Sequence, residues 1–357
     1  MKRTKNDKIQ MNFSTPFMGR KTRASQLYKN VDQLIDWRKI EALINRHYTK
    51  GYTLKGEKPH GGLVLFKMLL IGVWNDTSDE RTEDYVNESV SATRFCDLGL
   101  EDPVPDHAPP SRFRSTLTAS GAMDKLLKAV NKCLDKHSVI LKKGVNVDAS
   151  LAASPFCLKG KTTYEIVRDG RDDEVSQEEV TRQEVELKKL QGKGVDDQAR
   201  WLKKGDTTLF GYKKHLATDD NGTVLAVHTT TASEHRSKGL QPLVKKTHEQ
   251  HTNKGLKADK GYKVPANDEF LRKEGIKNRI QHEACRNRPL SKWQNVFNKL
   301  VGKTRYAVER TFGGMQRWFG SGRTRYEGLA NTHTLHVLEA ICYNLKRAPG
   351  LPCQVAK

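Results

Sequence analysis

An α/β sheet covered by helices, preceded by an all-helical amino-terminal region, is the fold class this sequence predicts. Three observations lead there. Before residue 142 apolar side chains recur at helical spacing, as in Leu34, Ile35, Trp37, Ile40, Leu43 and Ile44. From Gly144 the pattern turns to alternation, with Val145 and Val147 between polar neighbours. Beyond residue 255, short strand-like runs alternate with helical ones, the order of an α/β sheet.

Taken in order, residues 1–30 are polar, basic and weakly patterned, and read as a loose arm. Residues 31–141 read as a helical DNA-binding or dimerisation domain. In it, "GGLVLFKMLLIGVW" is a buried helix, and Ser78 followed by acids opens another. The proline-rich turn "EDPVPDHAPP" precedes one amphipathic helix starting at "SRFR" and running to about His137. Short helices joined by tight turns are compatible with a helix-turn-helix-like DNA reader, which would use Arg112 and Arg114, and equally with a structural, dimer-forming domain. Residues 142–348 read as a second, α/β domain, with a charged insert of helical character at about 168–204 and a tail at 349–357. Asp220-Asn221-Gly222 is a hairpin turn between two strands. "GLKAD" is a short strand, and a helix such as 265–274 leads into "GIKNRI". The closing helices are Trp293–Phe319 and about Thr332–Arg347.

Charge narrows the function. The chain has 357 residues, enough for two domains, and its 63 Lys and Arg face 42 Asp and Glu for a formal charge of +21. Such an excess points to an extended polyanion, whose counterions are released on binding. A membrane surface is the rival, but no apolar run approaches the roughly 18 residues a span needs, and the longest candidate is interrupted by Lys67. The amino terminus "MKRTKNDKIQMNF" lacks the apolar core of a signal peptide. Six cysteines without a CxxC pair support neither a disulfide framework nor structural zinc, and the HxxC spacing of His282 and Cys285 has no second pair. The expectation is a cytoplasmic protein in contact with nucleic acid, without zinc or a membrane.

Two acids stand where strands should end, Asp148 after "VNV" and Asp259 after "GLKA". Side chains at strand carboxyl ends meet at the functional edge of an α/β sheet. Each could instead cap a turn. Glu309, in "RYAVERTFGGMQRWFG", could reach the same edge from a helix whose buried face is Val308, Phe312, Met315 and Phe319. Its plainer account is an i,i+4 partner of Arg305. Three gathered carboxylates repel unless a cation joins them, and hard oxygen donors suit Mg²⁺. Two such ions could drive phosphoryl transfer.

The segments "NVDASLAAS", "FGYKKHLATDDNGTVLAVHTTTASEHRS", "KADKGY" and "RYAVERTFGGMQRWFG…RYEGL" resemble the catalytic core of bacterial insertion-sequence transposases with a DDE triad, most closely the insertion sequence 5 family. The likeness runs from about residue 144 to 346, and "RFCDLGLEDPVPDHAPPSRFRSTL" resembles that family's amino-terminal domain. It implies a ribonuclease-H-like core with Asp148, Asp259 and Glu309 as catalytic metal ligands, two Mg²⁺ ions (Mn²⁺ substituting), and double-stranded DNA as partner, both element ends and target. A homodimer would join the two ends. Two positions depart from the family pattern, a tyrosine three residues before the arginine and a lysine seven after the glutamate. Gly302 and Gln316 stand there, with Arg317 as a possible substitute on a different helix face.

Lys213 and His215 are further candidates for DNA contact, though an exposed hairpin face explains them as well. Lys260 and Tyr262 would line the DNA path. Segment 271–306 carries ten Lys and Arg against two acids, with Trp293 among them, a composition that suits DNA tracking or an unstacked base. The reading is a transposase that cleaves element ends and transfers their 3′-OH groups to target DNA. The alternatives are a DNA-binding regulator that keeps the fold without strand transfer, and a stand-alone nuclease.

Overall fold

The computed structural model describes residues 22–48, 60–99, 101–142, 144–157, 164–166, 187–189, 195–248, 255–284 and 289–351. Seven helices come first: α1 (Arg23–Leu34), α2 (Trp37–His47), α3 (Gly62–Trp74), α4 (Asp79–Glu88), α5 (Val90–Phe95), α6 (Ala108–Ala119) and α7 (Ala122–Lys136). Strands β1 (Val145–Ala153), β2 (Tyr164–Ile166), β3 (Leu187–Lys189), β4 (Arg200–Lys204), β5 (Thr207–Thr218) and β6 (Val224–Thr231) follow. The chain closes with α8 (Leu240–His248), β7 (Leu256–Ala258), α9 (Pro265–Lys273), β8 (Asn278–Ile280), α10 (Lys292–Phe319) and α11 (Leu329–Arg347).

The main sheet runs β4-β5-β1-β7-β8, with β6 also paired to β5. β1, β5 and β6 pair antiparallel, while β7 and β8 run parallel to β1. It is the expected mixed α/β sheet with helices packed on it.

α3 is the apolar run, and all its residues but Val64 are buried. The lysine that interrupts it is buried too, because its ammonium finds partners: Asp97 at 2.9 Å, Asp32 at 3.8 Å and the ring faces of Trp37 and Phe95. α11 lies between the helical half and the sheet. Trp74 Nε1 donates to the Cys342 carbonyl at 3.1 Å from one side. On the other, Val224 N donates to Asn344 Oδ1 at 2.8 Å, and Asn344 Nδ2 donates to the Val224 carbonyl at 2.8 Å. One continuous apolar core therefore runs from Tyr28 of α1 to Val227 of β6 and Leu345 of α11.

Several expectations need correcting. Residues 22–30 are not part of a loose arm: Thr22 caps α1 and Tyr28 is buried against Phe95 and Trp74. Residues 1–21 lie outside the described residues. The single helix read from Ser111 is two, broken at Ser120-Gly121, where Gly121 has φ +61°. Most of the insert at 168–204 lies outside the described residues, but its described stretches at 187–189 and 200–204 are strands, not helix. Strand pairing with β5 overrides the local charge pattern of β4. No helix among the described residues is long and apolar enough to cross a membrane.

Candidate active site

β1 and β7 set the first two carboxylates level. Val145, Asn146 and Val147 face Leu256, Lys257 and Ala258 across a parallel ladder, and Asp148 and Asp259 are the next residue on each strand. A crevice beyond the carboxyl ends of parallel strands is where open α/β sheets place ligands. Asp259 directly follows the strand's last residue, Ala258, and its Oδ1 accepts from Lys260 N at 2.7 Å as it caps the following 3-10 turn. Asp148 does not end its strand: β1 continues to Ala153, held by β5, with Asp148 opposite Leu216.

α10 brings the third carboxylate. It begins with a capping box at Ser291 and Gln294 and lies across β1, β5 and β7 through Val308 and Met315, both fully buried. That seating aims Arg305 and Glu309, one turn apart, at the aspartates. Arg305 Nη2 donates to Asp148 Oδ2 at 2.9 Å and lies 3.6 Å from Glu309 Oε1, while Nη1 lies 3.8 Å from Asp259 Oδ1. Nη1 also donates to Gln281 Oε1 at 3.3 Å. A second guanidinium, Arg236, donates to Asp259 Oδ2 at 2.8 Å. Asp148 is nearly enclosed, with 13% of its side chain exposed, whereas Glu309 is 58% exposed.

The three acids thus converge on an arginine rather than on each other. Among the described residues, no group of three or more His, Cys, Asp or Glu side chains is close enough to hold a metal ion in this arrangement. The donor chemistry nevertheless fits a hard divalent cation: three carboxylates share one positively charged neighbour. Two buried polar atoms in this neighbourhood, Arg305 Nε and Tyr262 Oη, have no hydrogen-bond partner, so the polar complement of the site is not closed by the chain alone.

The Transposase DDE domain family matches residues 164–345, and a Transposase domain family (DUF772) matches residues 17–116. The chain belongs to the DDE transposase family. It is 31% identical over 239 residues to a Neisseria meningitidis serogroup B protein named as the transposase for insertion sequence element IS1106, covering 66% of this chain and 76% of that one. No solved structure matches the chain. The DDE match starts after Asp148, so the placement of that residue rests on β1.

The other candidate residues of this transposase divide by burial. His215 is fully buried, its Nε2 3.0 Å from Thr230 Oγ1, and burial together with the charges of His228, Lys213 and Arg236 pushes its pKa down to about 3. A neutral histidine packed under Gly239 cannot reach a phosphate. Lys213 is buried on the same face of β5, its ammonium donating to the Glu234 carbonyl, with its pKa lowered by burial and by Arg236. Tyr262 is also buried, its phenol pKa raised by burial and by the Asp148 charge, so it floors the site and does not line a DNA path. Arg114 is buried in α6, forked onto Asp79 at 2.9 and 3.1 Å and stacked 4.0 Å over Tyr326. It holds α6 in place and is withdrawn from DNA.

Arg112, Gln316, Arg317, Lys260 and Trp293 are exposed. Lys260 borders Asp259 and lies 3.6 Å from Glu283. Gln316, seven residues after Glu309, shares its helix face about 10 Å farther on. Trp293, 65% exposed, stacks on Phe297 at 5.3 Å with His282 edge-on at 5.8 Å. Cys285 lies outside the described residues. Gly313 and Gly314 also separate: a Cβ on Gly314 would stand 2.8 Å from Tyr343 Cε2, while one on Gly313 would meet nothing within 4 Å. Gly314 lets α10 approach α11.

Sequence reasoning missed Arg236 and Gln281. Each follows a strand, β6 or β8, but only the fold turns those loops toward Asp259.

Proposed function

We propose that this chain is the transposase of a bacterial insertion sequence of the insertion sequence 5 family, cleaving element ends and joining their 3′-OH groups to target DNA. The observation that carries the reading is the meeting of Asp148, Asp259 and Glu309 around Arg305, in a chain of the DDE transposase family. Enzymes of this family use divalent metal ions. Asp148, Asp259 and Glu309 would hold two, Mg²⁺ or in substitution Mn²⁺, which when bound supply a deprotonated oxygen nucleophile and neutralise the leaving oxygen.

In the first step water attacks the phosphorus at the element end, the bond to the bridging 3′ oxygen breaks, and the freed 3′-OH takes a proton. In the second that 3′-OH attacks a target phosphodiester, joins its phosphorus and releases a target 3′-OH. The ribonuclease-H-like core, about residues 142–348, supplies the rigid edge on which both steps share one site. Arg305, at the centre of the acids, and Lys260, at their rim, bind the phosphates flanking the reacting one. Trp293 offers an aromatic face to a base. Arg317 and Gln316 continue the contact along α10. The helical domain, residues 31–141, recognises the terminal inverted repeats with Arg112 on its surface, and two copies pair to join two ends in the cytoplasm.

The test is cleavage of plasmid DNA carrying the gene's own flanking sequence, with Mg²⁺ or EDTA, by wild type and Glu309→Gln. Metal-dependent cuts at the element ends that vanish in the variant are expected. Specific binding without cutting under any metal would overturn the catalytic reading.

A further inference from the structure

Asp148, Asp259 and Glu309 bring three negative charges to one edge, and the chain meets them with two positive ones. Arg305 contacts all three, and Arg236 takes the outer oxygen of Asp259 at 2.8 Å. Neither approach is incidental. Arg305 has only 13% of its side chain exposed and is held by Gln281 as well. Arg236 stems from the 3-10 turn Arg236–Gly239 after β6 and passes over Gly261, where a Cβ would lie 2.7 Å from its Cδ. A side chain at 261 would require Arg236 to shift.

A cation entering among these carboxylates meets guanidinium groups already paired with them, and like charges at this range repel. DNA phosphate is the alternative acceptor for the same planar donors. We propose that Arg236 and Arg305 are positioning residues, a built-in counter-ion pair that makes metal loading depend on DNA. Without DNA they hold the carboxylates. When the phosphate backbone arrives, the guanidinium groups turn to it and the carboxylates are released to the metal. Cleavage chemistry is thereby withheld until DNA is seated. This rests on the triad assigned under Proposed function.

Linkage makes the effect measurable without catalysis, since DNA raises metal affinity by the factor by which metal raises DNA affinity. Ca²⁺ binding to the full chain is followed by calorimetry, with and without an element-end duplex. In wild type the duplex should tighten Ca²⁺ binding about tenfold or more. Arg305→Gln and Arg236→Gln should each bind Ca²⁺ about tenfold tighter than wild type without DNA, and the duplex should then add less than about threefold. Arg305→Lys, which keeps the charge, should stay near wild type. Unchanged or weaker DNA-free binding in both glutamine variants overturns the proposal. If Arg305→Gln fails to fold by circular dichroism, Arg236→Gln, on a partly exposed turn, decides alone. Asp148→Asn separates the two readings: loss of Ca²⁺ binding with and without DNA keeps the triad whatever the arginines do, and wild-type binding in that variant overturns the triad itself.

Discussion

The two halves of α10 carry the same kind of apolar periodicity and meet opposite fates. Trp293, Val296 and Leu300, stepping by three and four, are 65%, 57% and 59% exposed. Val308, Met315 and Phe319, stepping by seven and four on a neighbouring face, are at most 1% exposed. The carboxyl half lies on β1, β5 and β7 and is backed by α11. The amino half is tied to the loop after β8, where Asn298 exchanges hydrogen bonds with the His282 backbone and its carbonyl accepts from Gln281 Nε2. Periodicity marks a face; it does not say what covers it. One half of the helix is buried structure carrying two site residues, and the other offers an apolar strip flanked by Lys292, Lys299 and Lys303 to the solvent.

The sharpest way to break this contrast is at the chemistry. Glu309→Gln removes one charge from an exposed side chain, so the fold should be unchanged by circular dichroism while end cleavage falls by on the order of 10³-fold or more, about 4 kcal/mol. Retention of more than a tenth of wild-type cleavage would remove Glu309 from the site.

Next comes burial. Met315→Ala should cost about 2–5 kcal/mol in a denaturant titration. Leu300→Ala, in the exposed strip of the amino half, should stay within about 0.5 kcal/mol of wild type. Equal losses would mean that the amino half is covered in solution.

Trp293→Ala sharpens the other side. Its stability effect should be as small as that of Leu300→Ala, but affinity for an element-end duplex with unpaired bases, read by fluorescence anisotropy, should drop by about 1–3 kcal/mol. A change in stability without a change in affinity would assign the Trp293–Phe297 stack to packing.

The smallest effects are at the paired glycines. Gly313→Ala enters open space and should stabilise the helix by up to about 1 kcal/mol. Gly314→Ala gains the same propensity but forces a methyl onto Tyr343, and should be net destabilising by about 1 kcal/mol. Opposite signs in thermal melts are expected, and matching signs would show that α10 and α11 can part freely.

Much of this was legible because it is local. The turn at Asp220-Asn221-Gly222, the cap at Ser78 and the apolar run of α3 are specified within a few residues, where backbone preference and side-chain hydrogen bonds act directly. The meeting of Asp148, Asp259 and Glu309 could be framed as an expectation because strand ends and helix faces constrain direction. What failed was accessibility. Arg114, Lys213, His215 and Tyr262 are residue types that bind DNA when exposed, and each is buried by a partner distant in sequence: Asp79 and Tyr326, Glu234, Thr230 and Gly239, and the site itself.

By itself the sequence determined the change from helices to an α/β sheet near residue 144, the basic charge that selects a polyanionic partner, and the three carboxylates with an arginine one turn before the last. Only the tertiary structure decided that Arg305 and Arg236 stand among those carboxylates, that the strip of Trp293, Val296 and Leu300 on α10 is bare, and which cations face the solvent. The reason is physical. Local structure is set by interactions over a few residues, whereas burial and charge pairing depend on which distant segments the sheet brings together, and no spacing in the chain encodes that distance directly.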